Sequence, residues 1–130
     1  MQRSLDDLGT PLADVTFCVL DIETTGTDRG GDLITEIAVV KVRGGECLGT
    51  MATLINPGKA IAPSVVVLTG ITQAMVSNAP RIESVLPTLQ EFLSNSVIVG
   101  HNVGFDMGFI NASLLRAHRP ALRNTIVDTL

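Results

Sequence analysis

The strongest constraint on this chain is a short stretch in which the apolar run Val15-Thr16-Phe17-Cys18-Val19-Leu20 passes directly into Asp21-Ile22-Glu23-Thr24-Thr25-Gly26. An apolar run of this length, followed by a turn signal, reads as a buried strand. Residues two apart on a strand share a face, so Asp21 and Glu23 converge at its open end. Adjacent carboxylates repel one another, and a cation between them relieves the repulsion. The polar turn Thr24-Thr25-Gly26-Thr27-Asp28 follows at once and supplies hydroxyls and backbone N–H groups where a ligand can come close to the chain.

The 130 residues, 45% of them hydrophobic, suffice for one compact domain with a single core, assigned to residues 14–130 behind a flexible lead-in of residues 1–13. No run reaches the roughly eighteen apolar residues of a membrane span, and the first residues lack the apolar stretch of a signal peptide. The default expectation is a cytoplasmic location. Cys18 and Cys47 fall in predicted strands without metal-ligand spacing, so both read as small buried apolar residues, with no disulfide and no zinc site. A net charge of −4 argues against a protein that coats nucleic acid electrostatically. It leaves a nuclease open, because divalent cations over an acidic cluster present a positive centre to phosphate.

Further along, alternation predicts a second strand over Asp32–Val42. Leu33, Ile37 and Val39 lie on one face and Ile34, Ala38 and Val40 flank Glu36 on the other, so both faces are expected to be covered. Gly44-Gly45 marks a turn to a third strand, Cys47–Ile55, which ends at Asn56-Pro57-Gly58. Leu68-Thr69-Gly70-Ile71-Thr72 joins two short helical pieces. Ile82, Val85, Leu86, Leu89, Phe92 and Leu93 recur at helical spacing, with Pro87 marking a first turn or a kink. Val97-Ile98-Val99 is a short buried strand. A helix follows, with Met107, Phe109, Ile110, Leu114 and Leu115 on its apolar face, and then a last strand over Thr125–Asp128. The order β-β-β-α-β-α-β indicates an α/β fold of the ribonuclease H-like class: a mixed sheet, three antiparallel strands followed by parallel ones, flanked by helices.

The second chemical cluster, His101-Asn102-Val103-Gly104-Phe105-Asp106, lies between the Val97–Val99 strand and the next helix. Asp106 meets Asp21 and Glu23 if that strand lies beside the first. Asp21-Ile22-Glu23-Thr24-Thr25-Gly26 and Asn102-x-x-Phe105-Asp106 resemble the first and second motifs of the DEDD superfamily of 3′-to-5′ exonucleases. Among its members the proofreading epsilon subunits of bacterial DNA polymerase III are the most similar. Leu68-Thr69-Gly70-Ile71-Thr72 resembles the family's intervening motif, and Val127-Asp128-Thr129-Leu130 the strand before its third, so the resemblance spans nearly all of residues 14–130.

The resemblance implies phosphodiester hydrolysis with two divalent cations, Mg²⁺ or Mn²⁺, held roughly 3.5–4 Å apart. On that reading Asp21 bridges both ions, Glu23 binds the one nearer the attacking water, and Asp106 holds the other. Thr24 and Thr25 receive the terminal 3′-hydroxyl, and Leu68, Thr69, His101, Asn102 and Phe105 flank the substrate. The implied partner is the 3′ end of single-stranded DNA, with RNA as an alternative, and a polymerase or repair nuclease as a companion or fused module. The family's third motif, a His followed five residues later by an Asp, is expected beyond Leu130. His101 and Asp106 share that offset, but Asn102 and Phe105 assign them to the second motif. The 130 residues thus hold three of the four expected carboxylates and lack the expected general base, which implies a truncated exonuclease domain of weak activity with an uncovered sheet face.

The remaining polar residues have plainer readings. Glu36 reads as a hydrogen-bonded carboxylate within the sheet, and Asp28, Asp32 and Asp128 as turn or strand-end residues. Arg116, His118, Arg119 and Arg123 read as cations near a helix C-terminus. Phe105 and Phe109 read as core residues before base-stacking platforms. A non-cutting module that grips a nucleic-acid end or a polymerase stands as the alternative function.

Overall fold

The computed structural model describes residues 11–130. Residues 1–10 of the expected lead-in lie outside the described residues, and its end, Leu12–Asp14, forms a turn of 3₁₀ helix against which Val15 begins to be buried. Five strands follow: β1 Thr16–Thr24, β2 Ile34–Arg43, β3 Glu46–Leu54, β4 Val97–Gly100 and β5 Ile126–Asp128. They form one sheet in the order β3-β2-β1-β4-β5, with β1, β2 and β3 antiparallel and β1, β4 and β5 parallel. The four α-helices are α1 Pro63–Thr69, α2 Gln73–Ser77, α3 Ile82–Leu93 and α4 Val103–Arg116.

α1 starts at Pro63, whose missing N–H costs nothing in a first turn, and stops at Gly70, held at φ 76° as helix-terminating glycines are. Thr72 then caps α2, its hydroxyl accepting from the Met75 N–H. α3 runs unbroken through Pro87, neither its first turn nor its end; the proline is exposed, so water can serve the carbonyl it leaves without a donor.

α3 and α4 both cover one face of the sheet. Cys18, Leu20 and Ile22 of β1 and Ile37 and Val39 of β2 meet Leu86, Leu89, Leu93, Phe109, Ile110 and Leu114 there in a single core. The expectation that both faces of β2 are covered fails. Register places Val40 opposite Val19, Val19 opposite Val99 and Val99 opposite Val127. On this far face Val19 is 45% and Val40 39% exposed. Cys47 is likewise exposed, because β3 is an edge strand and its side chain clears the core.

Candidate active site

β1 is longer than the apolar run suggests, so Asp21 and Glu23 lie inside the strand, opposite Ala38 and Glu36. On the other flank, pairing with β4 ends at Val19↔Val99. A crevice therefore opens where the parallel strands part, the usual place for ligands in sheets of this kind. Gly100 makes the parting tight, since a Cβ there would come within 2.9 Å of the Leu20 carbonyl oxygen and 3.0 Å of the Val103 side chain. The chain then turns into α4, whose first helical turn carries Asp106 to the crevice.

Asp106 is 6% exposed, and its Oδ2 has no hydrogen-bond partner among the described residues. Burial, and then the negative charge of Asp21, push its pKa up to about 6, although the Ile22 backbone N–H partly offsets this. Glu23 is raised by burial first, then by Asp21 and Glu36. The three sequence-predicted carboxylates thus share one electrostatic environment. Glu36 belongs to its edge as a further negative charge; its carboxylate makes no hydrogen bond among the described residues, contrary to the plainer reading of it. Among the described residues, no three His, Cys, Asp or Glu side chains stand close enough to make a ready ligand set. The donor chemistry nonetheless fits a hard cation, with all-oxygen ligands and one buried carboxylate oxygen left over.

A slot of about 200 Å³ adjoins Glu23, lined by Ile22, Thr24, Gly26, Thr27, Leu68 and Phe105, with Val65 and Thr69 at its side. It is smaller than the roughly 300–1,000 Å³ of drug-sized sites. Leu68 is 85% exposed on α1, next to the equally exposed Val67. Phe105 is half-buried, its ring 4.9 Å from that of the fully buried Phe109, so one face serves the core and the other the slot. Thr69 does not turn its hydroxyl to the slot; it donates to the Val65 carbonyl and accepts from the Ile71 N–H.

The loop after β1 is pinned from within. Thr25 donates its hydroxyl to Asp32 at 2.8 Å and accepts from the Leu33 N–H, so this side chain is already engaged within the loop. Asp32 also accepts from the Asp28 N–H and faces Lys59, contacts that lower its pKa. Thr24 turns its hydroxyl to the Gly26 carbonyl. His101 is exposed and shares a recess of about 430 Å³ with Asp21, Val99 and Thr129. Asn102 caps α4 in a left-handed conformation. Sequence reasoning left unassigned the role of Asp32 in holding Thr25; the seven-residue spacing between them carries no recognisable motif.

A family model described as Exonuclease matches residues 18–130. The chain belongs to this exonuclease family. A Mycobacterium tuberculosis protein named as a bifunctional exonuclease/endonuclease is 53% identical over 111 residues, covering 81% of this chain and 17% of its own length. A PolC-type DNA polymerase III from Bacillus cereus is 38% identical over 119 residues, 92% of this chain and 8% of the polymerase. The chain therefore spans a small part of the relatives it matches. Among solved structures, exonuclease I superposes with a TM-score of 0.81 over 90% of this chain and 29% of that one, at 21% identity, which establishes the shared fold. The same enzyme from E. coli has been crystallised with a dA13 oligonucleotide.

Proposed function

We propose that this exonuclease-family domain removes nucleotides from the 3′ end of single-stranded DNA, in proofreading or repair. The observation that supports the reading is that Asp21, Glu23 and Asp106 border one crevice closely enough for their charges to act on one another, beside a slot of about 200 Å³ lined by Leu68 and Phe105. Asp21, Glu23 and Asp106 hold Mg²⁺ or Mn²⁺. When bound, such ions supply a water of lowered pKa and a counter-charge for the phosphate. The chain's own residues do the rest. Leu68 and Phe105 clasp the terminal base, aromatic contact of this kind being tolerant of base identity. Thr24 presents the strand end to the 3′-hydroxyl. Thr25 contributes by holding the loop, and His101 and Asn102 border the exit of the strand.

These residues include three acidic ligands and no histidine assigned as general base, a role typically worth about 10²–10⁴-fold. Residues 1–130 by themselves therefore turn over slowly. The relatives place similar domains inside larger polymerases and nucleases, which supports a fused or associated module as the working context.

The test uses single-stranded oligonucleotides labelled at either end, with Mn²⁺. A slow ladder from the 5′ label, immediate loss of the 3′ label, and no cutting by Asp21→Ala support the exonuclease. Tight binding with no ladder favours a non-cutting module. Repeating the assay with a ribonucleotide 3′ end separates DNA from RNA preference.

A further inference from the structure

β5 is three exposed residues paired only to β4, yet its last residue makes the most consequential contact across the sheet. Asp128 Oδ1 accepts from the Asn102 N–H at 2.8 Å and from the Leu130 N–H at 3.0 Å, and the Val103 N–H also points to this carboxylate. Those first two donors differ in what they fix. The Leu130 bond closes a local turn, whereas the Asn102 bond spans 26 residues of sequence.

Asn102 needs such a tie. It stands at φ 56°, ψ 44°, a left-handed conformation that asparagine tolerates better than most non-glycine residues, and its own side chain makes no capping bond to α4. The first N–H groups of a helix lack partners within it. Here an acceptor from another strand supplies one, and its negative charge also suits the positive end of the α4 dipole. Asp106 follows four residues after Asn102, in the first turn of α4. Among the described residues its Oδ2 has no partner, so its place in the crevice depends on the helix that carries it, together with the Ile22 N–H that faces the carboxylate.

We propose that Asp128 is a positioning residue, which locks the β4–α4 turn through the Asn102 N–H and so fixes Asp106 opposite Asp21 and Glu23. This rests on the reading of those three carboxylates as a cation site.

The test compares wild type, Asp128→Ala, Asp128→Asn and Asp106→Ala by amide hydrogen exchange and by calorimetric Mn²⁺ titration. Asparagine keeps the acceptor oxygen and loses the charge. Asp128→Ala should speed exchange at Asn102 and Val103 about tenfold or more. It should also weaken Mn²⁺ binding by about 10–100-fold, as losing a residue behind a ligand typically does. Asp128→Asn should stay near wild type in both readouts. Unchanged exchange in Asp128→Ala overturns the proposal, and so does an Asp128→Asn that falls as far as the alanine variant, since charge alone would then explain the effect. If wild type and Asp106→Ala bind Mn²⁺ equally, the cation-site reading has failed. The exchange comparison over Asn102–Asp106 still decides whether Asp128 holds the turn.

Discussion

Asp106 carries a pKa near 6, far above the usual aspartate range, and that one residue sets two opposed pH dependences. Its folded-state pKa lies above the unfolded value, so the fold gains most from it when it is protonated. That contribution is complete below about pH 4 and is lost as pH rises through about 6. Thermal melts without divalent cations should show this loss, and Asp106→Asn should flatten it and raise stability at pH 7. Cation binding runs the other way, because protons compete for the same oxygens. Mn²⁺ affinity measured by calorimetry should fall as pH drops below about 6, and Glu23, shifted in the same direction, should steepen that fall. A second prediction at this scale concerns Phe105: replacing it with alanine should cost about 1–3 kcal/mol of single-strand affinity, read by fluorescence anisotropy. Asp21 and Glu23 stand out in the sequence as alternate residues closing an apolar run, and Asp106 as the acidic residue in the segment after a short apolar one. The roles of Asp32 and Asp128 could not, since a hydrogen-bond acceptor is defined by where its donors end up. Thr25 shows the same limit from the other side, its hydroxyl being engaged by Asp32.

At the scale of elements, periodicity and turn residues locate the five strands and four α-helices, with β1 and β2 shifted by a few residues, but not the 3₁₀ turn Leu12–Asp14 at the end of the expected lead-in. β1 extended further than its apolar run because antiparallel pairing with β2 continues as far as Thr24, which polarity alone does not forbid. α3 absorbed Pro87 where a break or an early start was expected, because Val85, Leu86, Leu89 and Leu93 bury one face on either side of it. Pro87→Ala should restore a backbone hydrogen bond and raise stability by about 1–3 kcal/mol, measurable by urea titration. Gly100→Ala should do the reverse. Its Cβ would press on the Leu20 carbonyl and on Val103, costing about 1–3 kcal/mol and displacing α4 from β1. The same variant should lose Mn²⁺ affinity along with stability, which separates it from a substitution deeper in the core.

At the scale of the whole molecule, the row Val40, Val19, Val99 and Val127 leaves apolar surface on the sheet face away from α3 and α4. Exposed apolar surface of this kind favours association. Residues 1–130 should sediment with a concentration-dependent mass, and Val40→Lys should bring that mass back to the monomer without moving the melting curve by more than about 0.5 kcal/mol. Period-two reading of β2 suggests two covered faces, because apolar residues on both sides of a strand say that something packs there without saying whether it lies within the same stretch of chain. The end of the β1–β4 ladder at Val19↔Val99 has a mechanical consequence. Beyond it, β1 is anchored along one side only, like a shelf bracketed to a single wall. A thermal bend of β2 is therefore transmitted directly to Asp21 and Glu23, and to Asp106 through the Ile22 N–H that faces its carboxylate. The width of the crevice thus depends on how firmly β2 alone holds the free end of β1.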